Sequence, residues 1–437
     1  FNATAKHSHS LGAAFGDMDS DGHLDLVVGN MGQPGPVFLQ NGGPYDQWHF
    51  TDKSEKAGIT YVPSHGAPGL GDFDNDGFPD VFVANVGGNR LLVNNGDGTY
   101  SDGTGAAGIA GNQWSINGLL ADLDGDGLPD LYVVNYLAGD NVFMPSCPPD
   151  ASNGRPCFPG DFDASQDRLY INSGDGGFQD MTDASGVARP DGKGLGVIAA
   201  DFDNDRRLDL FIANDTRPNF LFRNDGDGAF QEVAQQAGIA AVESASMGTA
   251  ACDINNDGYQ DLYVGSQGRF GDGLDFRSID QQEDLKEAIV DRLFLNNGDG
   301  TFRDITESAF GDSVNVRSAA SVACADVDGD GWLDIFVANR ADVDFITFDV
   351  PQHPGNYNVL YRNTGDLTFT EVADQAGVRG SQIVMRAPDG EAIVFEDPDT
   401  GARYEGYDPT LRDFLGNRVG DPTAQAWAVL FFDYDDD

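Results

Sequence analysis

The sequence predicts an all-β protein: a β-propeller, seven-bladed with four-stranded blades, the seventh blade incomplete. Three observations carry this. An aspartate cluster of the form D-x-[D/N]-x-D-x-x-x-D begins at Asp17, Asp72, Asp122, Asp201, Asp253 and Asp326, and a further one opens at Asp433. A hairpin-like segment follows the cluster in the second to sixth units ("LLVNNGDGTYSD", "LYINSGDGGFQD", "LFRNDGDGAFQE", "LFLNNGDGTFRD", "LYRNTGDLTFTE"), with a looser "VFLQNGGPYDQWHFTD" in the first. The clusters lie 55, 50, 79, 52, 73 and 107 residues apart, a base unit near 50 with inserts in three units. That length suits a four-stranded blade and exceeds the usual β-solenoid coil.

Each strand of the unit has its own signal. Strand A is a Gly/Ala-rich run such as "GVIAA" or "SVACA", whose small residues suit the crowded innermost position. The aspartate cluster is the A–B loop. Strand B is an apolar run such as "LDLFIAN", and strands C and D flank an Asn-Gly or Gly-Asp-Gly turn, which reads as a β-hairpin. Most units then pass through "AGI" or "AGV" to the next strand A. Residues 1–437 form one propeller domain on this reading, with blades starting near 10, 65, 115, 194, 246, 319 and 426.

This connectivity puts the A–B loops and C–D turns on one face and the B–C loops and D–A crossovers on the other. The inserts 136–167, 266–291, 340–358 and 379–425 all fall on the second face, and long loops on a rigid scaffold are where binding usually resides. For the seventh blade, "AWAVLFFDYDDD" supplies strand A alone. A lone strand leaves an exposed edge. The expectation is therefore a longer polypeptide with a missing C-terminal region, or a partner segment that completes the blade by strand addition.

The composition is 40% hydrophobic, enough to build a core, and the formal charge is −47. Such acidity excludes nucleic acid and anionic membranes as natural partners. No apolar run reaches the roughly 18–20 residues of a membrane span. Of the four cysteines, Cys147 and Cys157 share the loop "CPPDASNGRPC" and are expected to pair in an oxidising compartment. Cys252 and Cys324 sit in apolar runs before aspartate clusters and are expected to be buried free thiols.

The clusters have the donor chemistry of a cation cage. Side chains at positions 1, 3, 5 and 9, with the carbonyl of position 7, offer an all-oxygen set. The first four loops give Asp17, Asp19, Asp21, His23 and Asp25; Asp72, Asp74, Asp76, Phe78 and Asp80; Asp122, Asp124, Asp126, Leu128 and Asp130; and Asp201, Asp203, Asp205, Arg207 and Asp209. The last two complete loops give Asp253, Asn255, Asp257, Tyr259 and Asp261, then Asp326, Asp328, Asp330, Trp332 and Asp334. Asp433, Asp435 and Asp437 begin a seventh. Hard oxygen donors select calcium over zinc, and about five to seven ions are expected. In the fourth loop Arg206 replaces the position-6 glycine, strained if the turn needs positive φ, and brings a charge able to stand in for the ion. Asn255 removes one charge from the fifth.

With these motifs, the chain resembles the FG-GAP/VCBS repeat proteins, the letters of the first name being visible in "AAFGD". It is more closely similar to the cartilage acidic protein-like group, over residues 10–375 and again at "AVLFFDYDDD". The resemblance implies a calcium-binding propeller in a secreted, periplasmic or cell-surface protein. It is not specific for an activity.

No catalytic constellation is visible: neither G-x-S-x-G nor H-E-x-x-H occurs. The favoured reading is a non-catalytic binding, adhesion or assembly module with a protein or carbohydrate ligand on the insert face. The alternative is a calcium-dependent, lyase-like enzyme acting on polysaccharide. Tyr136, Arg217, Arg269, Arg340, Tyr357 and Arg403 are candidates either to contact a ligand or to pack the inserts onto the propeller.

Overall fold

The computed structural model describes residues 9–31, 36–42, 50–59, 66–109, 111–139, 142, 159–240, 245–266, 290–315, 319–339 and 358–379, and the backbone of 394–396 and 403–405. Among these residues, six four-stranded antiparallel sheets form the blades of a β-propeller. Blade one is β1 (His9–Gly16), β2 (Asp25–Met31), β3 (Val37–Asn41) and β4 (Phe50–Asp52). Blade two is β5 (Pro68–Gly71), β6 (Asp80–Val83), β7 (Arg90–Asn94) and β8 (Tyr100–Asp102).

Blade three begins with β9 (Ser115–Ala121) and β10 (Asp130–Asn135). An insert ribbon follows, β11 (Leu137–Ala138) with β12 (Asp163–Ala164), and the blade ends with β13 (Arg168–Asn172) and β14 (Phe178–Asp180). Blade four is β15 (Gly194–Ala200), β16 (Asp209–Asn214), β17 (Phe220–Gly226) and β18 (Ala229–Glu232). Blade five is β19 (Ser246–Cys252), β20 (Asp261–Ser266), β21 (Arg292–Asn296) and β22 (Phe302–Asp304). Blade six is β23 (Ala319–Ala325), β24 (Asp334–Asn339), β25 (Val359–Asn363) and β26 (Phe369–Glu371). A separate hairpin pairs β27 (Val394–Glu396) with β28 (Arg403–Glu405). Residues 426–437, read as the start of a seventh blade, lie outside the described residues.

The second strand of each blade is an uninterrupted apolar run because both of its faces are covered. Every residue of β10, β16 and β20 is buried, as a strand between two neighbouring blades requires. The first strands are small for a different reason. A Cβ on Gly196 would lie 2.2 Å from the Met247 carbonyl oxygen of the next blade, and one on Gly69 would lie 2.5 Å from that of Gly118. The innermost strands meet backbone to backbone, so side chains are excluded. Five apolar cores fill the joints between successive blades, one to each joint from blade one to blade six.

One expectation is corrected. Cys252 and Cys324 are not free thiols: they form a disulfide with a Cα–Cα distance of 6.4 Å. They sit near the ends of β19 and β23, adjacent innermost strands of blades five and six, and their 72-residue separation in sequence hides this closeness. Cys147 and Cys157 lie outside the described residues.

Candidate metal centres

The aspartate loops share one scheme of backbone bonds, from which the third departs in that the Gly125 N–H donates to Asp122 Oδ1 and the Asp126 N–H to Asp124 Oδ1. In the first, the N–H groups of Asp21 and Gly22 donate to the two carboxylate oxygens of Asp17 at 3.0 and 2.9 Å. The N–H of His23 donates to Asp21 Oδ1 at 2.9 Å. The same pattern recurs at Phe78, Leu128, Arg207, Tyr259 and Trp332. Position 5 therefore spends one oxygen on closing the turn. Positions 1, 3 and 9 converge: a ligand atom from each lies within 4.8 Å of the others in Asp17/Asp19/Asp25, Asp72/Asp74/Asp80, Asp122/Asp124/Asp130, Asp201/Asp203/Asp209 and Asp326/Asp328/Asp334. The fifth loop carries Asn255 at position 3, and its amide donates instead to Asp257 Oδ2 at 2.8 Å.

The chain turns twice through left-handed backbone to achieve this. Position 6 has positive φ in all six loops, as Gly22, Gly77, Gly127, Gly258 and Gly331 and also as Arg206 at +73°. Position 4 does the same with Ser20, Asn75, Gly125, Asn204, Asn256 and Gly329. Sequence reasoning identified only the first of these; the Asn/Gly/Ser preference at position 4 was the available signal. In the fourth loop Arg207, an exposed residue, bonds to the loop through its side chain. Its guanidinium bonds to Asp205 Oδ2 and to the Asn224 carbonyl.

The position-9 aspartate is the buried hub. Asp80 accepts the Phe73 N–H at 3.0 Å and the Asn94 N–H at 2.8 Å, and Asp25, Asp130, Asp209, Asp261 and Asp334 repeat both contacts. Burial is the main cause that raises their carboxyl pKa values: to about 6 for Asp25 and Asp130, and to about 7 for Asp80, Asp209 and Asp261. Asp334 is also raised. Neighbouring loop carboxylates add to each shift.

These residues fit a bound cation. Asp19 Oδ1 and Asp203 Oδ1 are buried with no hydrogen-bond partner, and the converging donors are carboxylate oxygens. A hard divalent ion would satisfy the orphaned oxygens and hold the buried carboxyls ionised.

The sequence reading missed one group, the asparagine that opens each hairpin turn. Asn94 Nδ2 donates to the carbonyl of Met18, in the loop of the preceding blade, at 2.8 Å and to Pro79 of its own loop at 3.1 Å. Its Oδ1 accepts the Gly96 N–H at 3.0 Å. Asn172, Asn224, Asn296 and Asn363 reach back in the same way to Phe73, Leu123, Phe202 and Ile254. Every loop from the first to the fifth is thus tied to the next blade. The first glycine of the turn makes room for the position-7 side chain: a Cβ on Gly96, Gly298 or Gly365 would meet the ring of Phe78, Tyr259 or Trp332 at 2.7–2.9 Å.

On the opposite face, Tyr136 packs its ring edge-on against Trp114, with centroids 5.2 Å apart, and its hydroxyl donates to Asp215. Arg217 is exposed. Lys193 is fully buried and donates to the Pro159 carbonyl at 2.6 Å, anchoring the insert of blade three. Arg269, Arg340, Tyr357, Asp433, Asp435, Asp437 and the Arg403 side chain lie outside what is described.

Known proteins repeat these features. The FG-GAP-like repeat family matches residues 72–133, 151–212, 201–264 and 278–337, together more than half of the chain. Cartilage acidic protein 1 of Xenopus tropicalis is 32% identical over 151 residues, covering 34% of this chain and 20% of that protein. The Homo sapiens protein is 28% identical over 223 residues, covering 49% and 29%. The matched stretches therefore span less than a third of these relatives.

Among solved structures, the chain is similar to an Agrocybe aegerita lectin that recognises non-reducing terminal N-acetylglucosamine, at 18% identity, TM-score 0.47, and 82% and 78% coverage of the two chains. It is also similar to BBS1N in complex with ARL6DN, at 8% identity, TM-score 0.44, and 84% and 82% coverage. Scores this low carry no argument about a ligand. The matches to the repeat, by contrast, fall on the aspartate loops and the strands that follow them, and on that ground the chain belongs to the FG-GAP-like repeat family.

Proposed function

We propose that this chain is an extracellular, calcium-stabilised propeller acting as a non-catalytic binding, adhesion or assembly module. The observation that carries the reading is the recurrence of one carboxylate triad in five loops, with buried unsatisfied oxygens at Asp19 and Asp203. Calcium is the cation that this all-oxygen set suits. Positions 1, 3 and 9 would hold it, joined by position 5 and the position-7 carbonyl. The aspartates serve the scaffold, which leaves the insert face for a protein or carbohydrate ligand. The Cys252–Cys324 disulfide supports an oxidising compartment. No helix among the described residues is long and apolar enough to cross a membrane.

Equilibrium dialysis against calcium tests the first half, with about five to seven ions bound per chain as the expected result; none bound would overturn it. Asp122→Ala should lower this number more than Asp201→Ala, because the Arg207 guanidinium already bonds to Asp205 of the fourth loop. A carbohydrate and protein array, probed with and without calcium, tests the second half: a calcium-dependent ligand is expected, and cleavage of an arrayed polysaccharide would replace the module with an enzyme.

A further inference from the structure

The joint between blades five and six is fastened unlike the others. Cys252 stands one residue before its aspartate loop, at the end of β19, and Cys324 stands two residues before the next loop, in β23. At the earlier joints the same two positions hold Gly16 and Leu70, Gly71 and Leu120, Ala121 and Ala199, and Ala200 and Ala251. A Cβ on Gly16 or Gly71 would lie 3.1 or 2.9 Å from the leucine of its pair. Small or apolar residues thus serve four joints without a covalent bond, and packing alone does not call for two thiols at the fifth.

A second tie lies on the loops themselves. Asn256, position 4 of the fifth loop, donates from Nδ2 to the carbonyl of Gly331, position 6 of the sixth, at 2.9 Å. Among the described residues, no other position-4 side chain bonds to the following loop. The Gly331 N–H donates to Asp326 at 2.8 Å, and the Asp257 and Gly258 N–H groups donate to Asp253 at 3.0 and 2.8 Å. The ties close a circuit: the disulfide joins the strands that lead to Asp253 and Asp326, and those two carboxylates hold the turns that Asn256 joins. The loops differ in what keeps their shape. Asn255 Nδ2 donates to Asp257 Oδ2 at 2.8 Å and its Oδ1 accepts the Asp257 N–H at 3.1 Å, so the fifth loop carries its own cross-brace. The sixth has Asp328 in that place. Its Asp326, Asp328 and Asp334 converge, with the first two exposed, and like charges that close repel until a cation joins them. The fifth loop is a template held by its own hydrogen bonds, and the sixth is the loop that the template can shape.

We propose that the Cys252–Cys324 bond and the cation site of the sixth loop form a redox-linked pair. The bond holds Asp326 and Gly331 in register with the fifth loop, and its reduction weakens cation binding at Asp326, Asp328 and Asp334. The inference rests on the calcium reading above. Cys252 is buried and Cys324 only half-buried, so a dithiol reductant attacks Cys324 Sγ. The Sγ–Sγ bond breaks, Cys252 leaves as a thiolate and takes a proton, and the second thiol of the reductant then displaces Cys324. Two electrons pass to the protein, and the reductant becomes a disulfide. By linkage, reduction is opposed in the cation-loaded protein by the same factor by which it weakens binding.

Trp332, position 7 of the sixth loop, supplies a local readout. Terbium, a luminescent substitute for calcium, is sensitised by a nearby indole; excitation at the tryptophan edge avoids Tyr259 of the fifth loop, and Trp332→Phe identifies the signal by removing it. The terbium affinity read in this way should fall about tenfold in Cys252→Ser/Cys324→Ser and in protein reduced by dithiothreitol, with the circular dichroism unchanged. Asn256→Ala should weaken it in the oxidised protein as well. Calcium should shift the dithiothreitol midpoint for reduction of the wild-type bond by the same factor, a measurement that decides the matter if the double variant fails to fold. Equal affinity in oxidised and reduced protein, or a midpoint indifferent to calcium, overturns the coupling and leaves the calcium reading standing. Absence of a Trp332-dependent signal overturns the coupling too, and overturns the calcium reading with it when dialysis finds no ion bound.

Discussion

The two faces of the propeller solve the same problem differently. Both must join one blade to the next where strands turn and polar backbone would be stranded. On the loop face a single device recurs: a buried aspartate receives a hairpin asparagine, whose amide reaches back to the preceding loop. On the insert face the chemistry alternates. In blades two and four the residue before strand C is Asn89 or Asn219, which bonds to Ser115 or Ser246 of the next blade, and strand B carries Phe82 or Phe211 at its third position. In blades three and five that residue is Asp167 or Asp291, and strand B carries Tyr132 or Tyr263, whose hydroxyl donates to it at 3.1 or 2.7 Å. A buried carboxylate needs a donor, so phenylalanine becomes tyrosine wherever asparagine becomes aspartate. The loop face is uniform because each blade completes its neighbour's aspartate loop. The insert face varies because the tyrosine that supplies the donor lies in the same blade as the aspartate it serves, with Asn315 adding an amide donor to Asp291.

The largest expected effect strikes the loop face alone. Chelation should lower the melting temperature strongly, since each site held at a hundredfold excess over Kd contributes about 2.7 kcal/mol. Calorimetry with excess chelator checks it, and an unchanged transition would remove calcium from the account.

Next, Asn172→Ala should cost about 2–4 kcal/mol, because it strands the Phe73 and Pro129 carbonyls and the Gly174 N–H together. Asn219→Ala on the other face leaves fewer groups unpaired and should cost about half as much, roughly 1–2 kcal/mol. Denaturant titration of the two variants, both calcium-loaded, ranks the faces; equal losses would erase the distinction.

A double-mutant cycle sharpens the alternation. Tyr132→Phe should cost about 1–3 kcal/mol by removing the side-chain donor to Asp167, and adding Asp167→Asn should restore most of it. The same pair predicts a pH effect. Burial raises the Asp167 carboxyl to about 7 from its ordinary 3.8. The folded state then holds a proton that the unfolded state has lost, so stability falls as pH rises between those values, by up to about 1.4 kcal/mol per pH unit. Asp167→Asn should flatten this slope in melting curves recorded from pH 4 to 7.5.

The smallest effect is at Arg206, held at φ +73°. Arg206→Gly relieves left-handed strain but loosens the unfolded chain, for a net gain of a few tenths to about 1 kcal/mol. Chemical denaturation would detect it, and a loss instead of a gain would show that the arginine contributes contacts of its own.

Much of this was legible in the sequence because it is local and repeated. The aspartate spacing, the Gly-Asp-Gly turns and the small residues of the first strands each reflect a rule that acts within a few residues. What escaped was non-local. Asn94 and its equivalents were visible as turn residues, but the carbonyls they bind lie 76 to 109 positions away. The Cys252–Cys324 bond needed two innermost strands placed side by side. That Arg207 rather than Arg206 bonds to the fourth loop depended on which side chain the left-handed turn throws outward, which residue type alone does not determine.

The reach of the hairpin asparagines has one more consequence. Each bond runs from a later unit to an earlier one, never forward, so the ring has a grain. During synthesis, a unit leaving the ribosome seals its predecessor and remains unsealed itself until its successor arrives. On the loop face, a growing chain therefore carries its unsealed loop at the newest repeat, and the loops behind it are already latched. Domains that emerge N-terminus first are exposed to misassembly at unfinished surfaces, and a one-way latch keeps that exposure to one joint at a time, however many repeats have been made.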